Sequence, residues 1–190
     1  MKERIISKEV VFEDYFKIEK WIYQYEKDNG ELTQPVDRMA FKRPDSAAVI
    51  VFNTDTRKVL LVKQFRHCTY EKGPGWIIET VAGGIDTGET PADAACRESI
   101  EEIGYRIHNV EKISTFYASP GCSTERMIVF YGEVTNADKV ADGGGEEHES
   151  EFVFTVEYTL DEIAAAIAND EINDAKTVIG CNYILKKFGY

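Results

Sequence analysis

Long apolar runs are missing from this sequence of 190 residues. A helix needs about 18–20 consecutive apolar residues to span a bilayer, and no stretch comes near that length. The N-terminal segment, MKERIISKEV, also lacks the apolar centre of a secretion signal. We therefore expect a cytoplasmic protein that does not insert into a membrane.

Positive charge is scarce relative to negative charge. Lys and Arg total 22, Asp and Glu total 34, and the formal net charge is -12. Proteins that bind nucleic acid or anionic lipid without sequence preference need a basic surface. The composition therefore argues against nucleic acid and membranes as partners, and a phosphorylated ligand would need cations gathered locally.

Cysteine is also sparse, and the spacing of the cysteines does not indicate a metal site. The four cysteines, Cys68, Cys96, Cys122 and Cys181, form no C-x-x-C pair. Zinc sites and disulfide-rich secreted domains both show closer, patterned cysteines. We expect reduced thiols, not disulfides or a zinc site.

The N-terminal part of the chain is predicted to form antiparallel strands. Three stretches are rich in β-branched and aromatic residues: 4–11, 15–26 and 32–42. Asn29-Gly30, between the last two, is a strong hairpin signal. Pro44 and Asp45 then interrupt the pattern. We expect one region over residues 1–43 and a second over residues 44–190.

The second region combines strands with three helices. Strands are predicted at 47–53, 58–65 and 76–82 and in the segments ISTFYAS, MIVFYGEV and EFVFTVEY. A central helix should begin at Pro91, and two more should cover 160–168 and 176–187. Strands on both sides of a central helix predict a mixed sheet covered by helices, which is an α/β or α+β fold.

The central helix has clear predicted ends and two unlike sides. Thr90 can cap it, Pro91 suits its first position and Gly104 suits the residue after its end. At 100° per residue, small and apolar residues form one stripe: Ala92, Ala95, Cys96, Ser99, Ile100 and Ile103. Charged residues lie on the opposite side: Arg97, Glu98, Glu101 and Glu102.

Three glutamates are crowded into this charged side, and we call Glu98, Glu101 and Glu102 the box glutamates. Like charges three or four positions apart on a helix cost roughly 0.2–0.5 kcal/mol per pair. An amphipathic helix with a solvated face is one explanation. A divalent cation is another, because hard ions such as Mg²⁺ take carboxylate oxygens as ligands and cancel the repulsion.

The spacing of these residues resembles the signature of the Nudix hydrolases, G-x5-E-x7-R-E-U-x-E-E-x-G-U with U apolar. Its fixed polar and glycine positions are occupied by Gly83, Glu89, Arg97, Glu98, Glu101, Glu102 and Gly104. Ser99 departs from the pattern, since the family usually has an aliphatic residue there. We expect Ser99 to weaken the packing slightly and to leave the metal side unchanged.

The resemblance implies an α/β/α sandwich with a mixed sheet, extended by N-terminal antiparallel strands. It also implies a site for Mg²⁺, or Mn²⁺, at which a nucleoside diphosphate linked to another group is hydrolysed. The box glutamates would be metal ligands, with the carbonyl of Ala82 as a further one, and Glu101 and Glu102 are also assigned to catalysis. Arg97 and Glu89 would pair and brace the preceding loop against the helix.

Beyond the signature, the chain resembles the ADP-ribose and nucleotide-sugar pyrophosphatases over nearly its full length. Lys63-Gln64-Phe65-Arg66 and the segment 117–125, YASPGCSTE, are similar to motifs of this group. Its N-terminal strands would form a dimerisation region, which implies a homodimer. Gly143-Gly144-Gly145 before an acidic run is similar to members that cleave GDP-mannose or UDP-glucose. The implied substrates are GDP-mannose, UDP-glucose or ADP-ribose, and the products a nucleoside monophosphate and a sugar phosphate.

Further site residues follow from this resemblance. The acidic run after Gly145 is either a disordered surface connection or the source of a glutamate that activates water. We assign that role to Glu149, with Glu147 and Glu151 as rivals. The substrate would be bound by Arg66, Arg43, Ser119 and Gly121.

Two other functions compete with this interpretation. Nudix enzymes that remove oxidised nucleoside triphosphates tend to be shorter and to lack the N-terminal strands. Non-catalytic Nudix modules usually lose box glutamates, and this chain keeps all three. A nucleophile built from His67 and Cys68 is not expected, because neighbouring side chains on a strand point to opposite faces.

Overall fold

The computed structural model describes residues 1–145 and 152–190, which form two compact units. The first unit contains Met1–Pro44 and Tyr117–Arg126, and the second contains Asp45–Phe116 and Met127–Tyr190. The chain contributes to the first unit twice because the second of these segments hydrogen-bonds to the first. The Phe41 amide donates to the Cys122 carbonyl at 2.7 Å, and the Thr124 amide donates to the Phe41 carbonyl at 3.1 Å.

The first unit contains a three-stranded antiparallel sheet in the order β1-β2-β3. Its strands are β1 (Glu3–Glu13), β2 (Lys17–Tyr25) and β3 (Val36–Lys42). The predicted antiparallel strands are confirmed, but β3 begins at residue 36 and not at 32. Pro35 immediately precedes it and has no N–H to donate to a ladder.

The second unit contains a mixed sheet and three helices. Its strands are β4 (Ser46–Asn53), β5 (Lys58–Phe65), β6 (Trp76–Glu79), β7 (Val81–Gly84), β8 (Val110–Tyr117), β9 (Arg126–Val134) and β10 (Val153–Tyr158). Its helices are α1 (Pro91–Ile103), α2 (Leu160–Ala168) and α3 (Ala175–Lys187). The main strand order is β10-β5-β4-β9-β8, with β6 beside β5 and β7 beside β4. Among the ladders of the described residues, the β4–β9 pair is parallel.

Each face of this sheet carries its own hydrophobic core. Along β4, Val49 and Val51 pack with residues of α1, whereas Ile50 and Phe52 pack with residues of α2 and α3. This alternation follows from the two-residue period of a strand. Fully burying such a side chain stabilises the fold by about 1.5–3 kcal/mol. The predicted α/β/α sandwich is therefore confirmed.

The predicted strand over residues 76–82 is divided at Thr80, which is a correction. β6 pairs with β5, and β7 pairs with β4. Thr80 leaves the ladder because its amide donates to Thr177 Oγ1 at 2.7 Å and its hydroxyl donates to the Val49 carbonyl at 2.6 Å. The break brings β7, with Ala82 and Gly83, alongside α1.

The helices of the described residues are too short or too polar for a bilayer core: none has both the length and the hydropathy to cross one.

Candidate active site

Local sequence signals fix both ends of α1. Thr90 is the N-cap, and its hydroxyl accepts a hydrogen bond from the Asp93 amide at 3.2 Å. Gly104 ends the helix in the left-handed region at φ 79°, and its amide donates to the Ile100 carbonyl. The observed bounds, Pro91–Ile103, equal the predicted ones. The caps therefore set the register in which the box glutamates are presented.

Arg97 ties the loop before the helix to the helix itself. Its Nε and Nη2 donate to the two carboxylate oxygens of Glu89 at 3.0 and 3.1 Å, and Nη2 also donates to the Gly84 carbonyl at 2.9 Å. Such a bidentate pair fixes orientation as well as charge. These hydrogen bonds lower the pKa of Glu89 and raise the pKa of Arg97.

The same guanidinium also brings two box glutamates together. Arg97 Nη1 donates to Glu98 Oε1 at 2.8 Å and to Glu101 Oε2 at 2.8 Å. Two carboxylate oxygens thus converge on one cationic nitrogen. The like-charge repulsion expected from the sequence is offset there by a positive charge of the chain itself.

Glu98 and Glu102 are buried, with 8% and 1% of their surface exposed, so the alternative of an amphipathic helix with a solvated face does not hold for these two residues. The reason is that β7 lies along this side of α1. The Ala82 amide donates to Glu102 Oε2 at 3.3 Å. A Cβ atom placed on Gly83 would overlap the carboxylate of Glu98. Small residues in β7 therefore leave the space that the glutamates occupy.

The glycine triplet at 143–145 caps the C-terminal end of α1. The Gly144 amide donates to the Glu102 carbonyl at 2.9 Å, and the Gly145 amide donates to the Glu101 carbonyl at 3.1 Å. The Val153 amide donates to the Gly144 carbonyl at 3.0 Å. Residues 145 and 152, which border the acidic run, are thus held close to the helix end that carries Glu101 and Glu102. The predicted water-activating Glu149 and its rivals lie outside the described residues.

Gly143→Ala should lower the free energy of unfolding by about 3 kcal/mol. Gly143 has φ 75°, where a side chain costs about 1–2 kcal/mol. Its Cβ would also lie 2.7 Å from the Glu102 carbonyl oxygen and 2.9 Å from the Gly104 nitrogen, and overpacking costs about 1–3 kcal/mol. Gly88→Ala is the matched control, since Gly88 has φ 88° but open space, and should lose about 1 kcal/mol. Urea denaturation measures both, and equal losses would contradict the close packing.

Ser99→Ala should raise the free energy of unfolding by about 1 kcal/mol. Ser99 is fully buried, and its hydroxyl has no hydrogen-bond partner among the described residues. An unsatisfied buried polar group costs about 1–3 kcal/mol. The control is Ser123→Ala, which should bring no gain because the Ser123 hydroxyl accepts a hydrogen bond from the Glu125 amide. A Ser99→Ala variant less stable than the parent in urea would show that the hydroxyl is satisfied.

The chemistry of the box fits a hard divalent cation. Its side-chain donors are all carboxylate oxygens, which Mg²⁺ prefers, and a cationic nitrogen already stands where two of them converge. Within residues 1–145 and 152–190, however, no three acidic, His or Cys side chains lie close enough to surround an ion. Loading would therefore require Glu98 and Glu101 to exchange Arg97 for the metal. The assignment of the Ala82 carbonyl as a ligand stays a prediction.

The predicted substrate residues are divided between the two units. Arg66 belongs to the second unit, as the box glutamates do, and its Nε donates to Glu79 Oε2 at 2.7 Å. Arg43, Ser119 and Gly121 belong to the first unit. There the Arg43 amide donates to Thr124 Oγ1 at 2.9 Å, and a side chain on Gly121 would enter open space. Their roles in substrate binding stay predictions.

One local premise of the sequence reasoning was wrong. His67 and Cys68 lie in a 3₁₀ turn, His67–Thr69, and not on a strand. Their side chains meet, with Cys68 Sγ 3.2 Å from His67 Nε2. A turn of this kind does not alternate side chains between two faces, so the strand rule does not apply.

Sequence reasoning also missed two charged residues that are almost fully buried. Glu79 ends β6 with 3% of its surface exposed, and Lys176 is the second residue of α3 with 8% exposed. Their side chains form an ion pair. A carboxylate at the end of the apolar segment WIIE was an available signal, because buried charges are rare unless paired. Nothing in the local sequence around Lys176 indicates its partner.

Comparisons with known proteins agree with the fold and with the signature. The NUDIX domain model matches residues 42–178. The GDP-mannose pyrophosphatase of Citrobacter koseri is 33% identical over 185 residues, which is 96% of this chain and 95% of that protein. The corresponding protein of Yersinia enterocolitica is 34% identical over 180 residues, 94% of this chain and 92% of that protein. A crystal structure of an ADP compounds hydrolase shares the fold, with a TM-score of 0.76 and 20% identity over 100% of this chain and 97% of that chain. With the signature, the fold and near full-length relatives in agreement, this chain belongs to the Nudix hydrolase family.

Proposed function

We propose that this protein hydrolyses the pyrophosphate bond of a nucleoside diphosphate sugar, giving a nucleoside monophosphate and a sugar phosphate. The observation that carries the proposal is the convergence of Glu98 and Glu101 on one cationic nitrogen beside the buried Glu102. GDP-mannose is the first candidate substrate, because relatives matched over more than nine-tenths of the chain are named for it. UDP-glucose and ADP-ribose follow.

The box glutamates would hold Mg²⁺, with Mn²⁺ as the second choice because oxygen ligands suit both. When bound, the ion would act as a Lewis acid that neutralises charge on the pyrophosphate and makes water a stronger nucleophile. Arg97 is the residue that must release Glu98 and Glu101. It would stay beside them, because its Nε and Nη2 remain paired with Glu89. Arg66 would bind a phosphate oxygen, and Glu149 would accept a proton from water.

A substrate panel tests the proposal. Purified protein is incubated with Mg²⁺ and GDP-mannose, UDP-glucose, ADP-glucose, ADP-ribose or 8-oxo-dGTP, and the products are separated by ion-exchange chromatography. We expect the hydrolysis of GDP-mannose, which gives GMP and mannose 1-phosphate, to be the fastest reaction of the panel. Turnover of 8-oxo-dGTP alone would assign the protein to nucleotide clean-up, and no turnover of any compound would contradict the proposal.

The first unit supports the further proposal of a homodimer through β1. This strand is 11 residues long, lies at the edge of its sheet and is exposed at every position. Ile5, Ile6, Val10, Val11 and Phe12 each keep 45–51% of their surface exposed. A long apolar edge strand is a template for pairing with another chain, and two copies of one strand can pair antiparallel about a two-fold axis.

Light scattering tests this interface. The parent protein should have the mass of a dimer, and Ile6→Lys combined with Val10→Lys should shift it towards the monomer because charge blocks an edge. Lys8→Gln is the control, since it changes a charged residue of the same strand without adding charge. A monomeric parent would exclude the dimer. The cytoplasmic location expected from the sequence stays a prediction.

A further inference from the structure

A network of buried charges lies behind Arg66 in the second unit. Glu79 contacts two cations, with Oε2 accepting from Arg66 Nε at 2.7 Å and Oε1 accepting from Lys176 Nζ. Lys176 Nζ also lies 3.1 Å from Asp174 Oδ2. Glu79 and Lys176 are at least nine-tenths buried, whereas 41% of the Arg66 side chain is exposed. The network therefore has a buried end and one exposed, cationic end.

The division of Glu79 between two cations has a consequence for Arg66. A buried carboxylate must be paired, because leaving it alone costs several kcal/mol. If Arg66 were its main counter-charge, the guanidinium would be drawn onto Glu79 and less able to attract an anion. Lys176 supplies a second cation at Oε1. Glu79 can then orient Arg66 through Nε without neutralising it alone.

Short stretches of backbone link this network to the box glutamates. The first link starts at Glu79, which precedes Thr80, and Thr80 is fixed by two buried hydrogen bonds. Ala82 lies two residues further on, and its amide donates to Glu102 Oε2 at 3.3 Å. A second link starts at Gln64, which lies two residues before Arg66. Gln64 pairs with Val153 in the β5–β10 ladder.

This second link continues to the same helix end. The Val153 amide donates to the Gly144 carbonyl, and the Gly144 amide donates to the Glu102 carbonyl. Both links end at Glu102. Arg66 is therefore placed by rigid elements at the end of the sheet where the box glutamates stand.

We propose that Lys176 is a positioning residue for substrate binding, which acts by sharing Glu79 with Arg66 so that Arg66 stays oriented and able to bind a phosphate. This inference rests on the proposed function, because it assigns Arg66 to the anionic substrate. Lys176 itself touches no substrate in this scheme. Its effect should appear in the affinity for nucleotide and not in the turnover of bound substrate.

The decisive variant is Lys176→Met, compared with Glu79→Gln and with the double variant that carries both changes. Lys176→Met alone leaves a buried carboxylate short of one cation and can impair folding, whereas removing both charges of a buried pair is often neutral for stability. The neutral amide that Glu79→Gln introduces would hold Arg66 less firmly, since charge-assisted hydrogen bonds are about twice as strong as neutral ones. Lys186→Met is the matched control, because it removes an exposed lysine of the same helix.

Three measurements are made on the parent protein, the variants and the control, and the first is the melting temperature. Isothermal titration calorimetry gives the Kd for GDP with Mg²⁺, and steady-state kinetics gives KM and kcat for GDP-mannose. We expect Lys176→Met to raise Kd and KM about tenfold with kcat within about twofold. We expect the double variant to melt near the parent temperature and to show the same increase in Kd and KM. The control should match the parent in all four quantities.

A purely structural role of Lys176 predicts a different result, in which folded Lys176→Met, or the double variant if Lys176→Met does not fold, binds GDP as tightly as the parent. That result would overturn the inference. If the parent binds GDP but hydrolyses no nucleotide sugar, the proposed function fails, and the comparison of GDP affinities still decides the role of Lys176. If the parent binds no GDP and hydrolyses no nucleotide sugar, both are wrong.

Discussion

Glu102→Gln should lower kcat for the nucleotide-sugar reaction about a thousandfold. A bound divalent ion contributes several kcal/mol to such a reaction, and about 4 kcal/mol corresponds to a factor of a thousand. Glutamine keeps the shape of the side chain and can still accept the Ala82 amide hydrogen bond, but it removes a negative charge from the ligand set.

The loss must be tied to the metal and not to charge in general. Glu157→Gln is the matched control, because Glu157 is an exposed residue of β10 that pairs with Lys58 at 3.0 Å. An exposed ion pair contributes about 0–1 kcal/mol, so the activity of this variant should equal that of the parent. Mn²⁺ titration followed by electron paramagnetic resonance should show weaker binding only in Glu102→Gln. Parent-like turnover or Mn²⁺ affinity in Glu102→Gln would exclude Glu102 as a ligand.

Gly83→Ala should reduce kcat/KM about a hundredfold. The added methyl group would occupy the position of the Glu98 carboxylate and force it away from Arg97 Nη1, to which it is bonded at 2.8 Å. Displacing a functional group by about 1 Å can cost a factor of a hundred in rate. Overpacking should also lower the free energy of unfolding by about 1–3 kcal/mol.

The neighbouring glycine provides the control for this prediction. A Cβ atom on Gly84 would meet nothing within 4 Å. Gly84→Ala should therefore retain kcat/KM within about twofold of the parent, although it makes the same chemical change one residue away. Kinetics and urea denaturation of both variants are the measurement. Equal effects at Gly83 and Gly84 would show that flexibility of the loop matters, and not the space beside Glu98.

The sequence was sufficient where the signal is local. Thr90, Pro91 and Gly104 fix a helix whose ends agree with the prediction, because caps act within one turn. The nearly unbroken apolar run of β4 likewise predicts that both faces of this strand are covered. The spacing of the signature was informative for the same reason, because the separation of residues along a helix determines which of them lie on the same side.

The sequence was insufficient where a contact joins distant segments. It left open whether the box glutamates face solvent, because nothing near residue 98 reveals that β7 covers it. It also missed the pairing of Glu79 with Lys176, which are 97 positions apart. The division of a strand at Thr80 depends on Thr177 in the same way.

By itself, then, the sequence determined the family, the helix that carries the glutamates and the order of strands and helices. The tertiary structure alone decided that Glu98 and Glu102 are buried, that Arg97 gathers two of the three carboxylates, and that Arg66 shares Glu79 with Lys176. The physical reason is one of range. Caps and periodicity act over a few residues of chain, whereas burial and charge pairing depend on which surfaces the completed fold brings into contact.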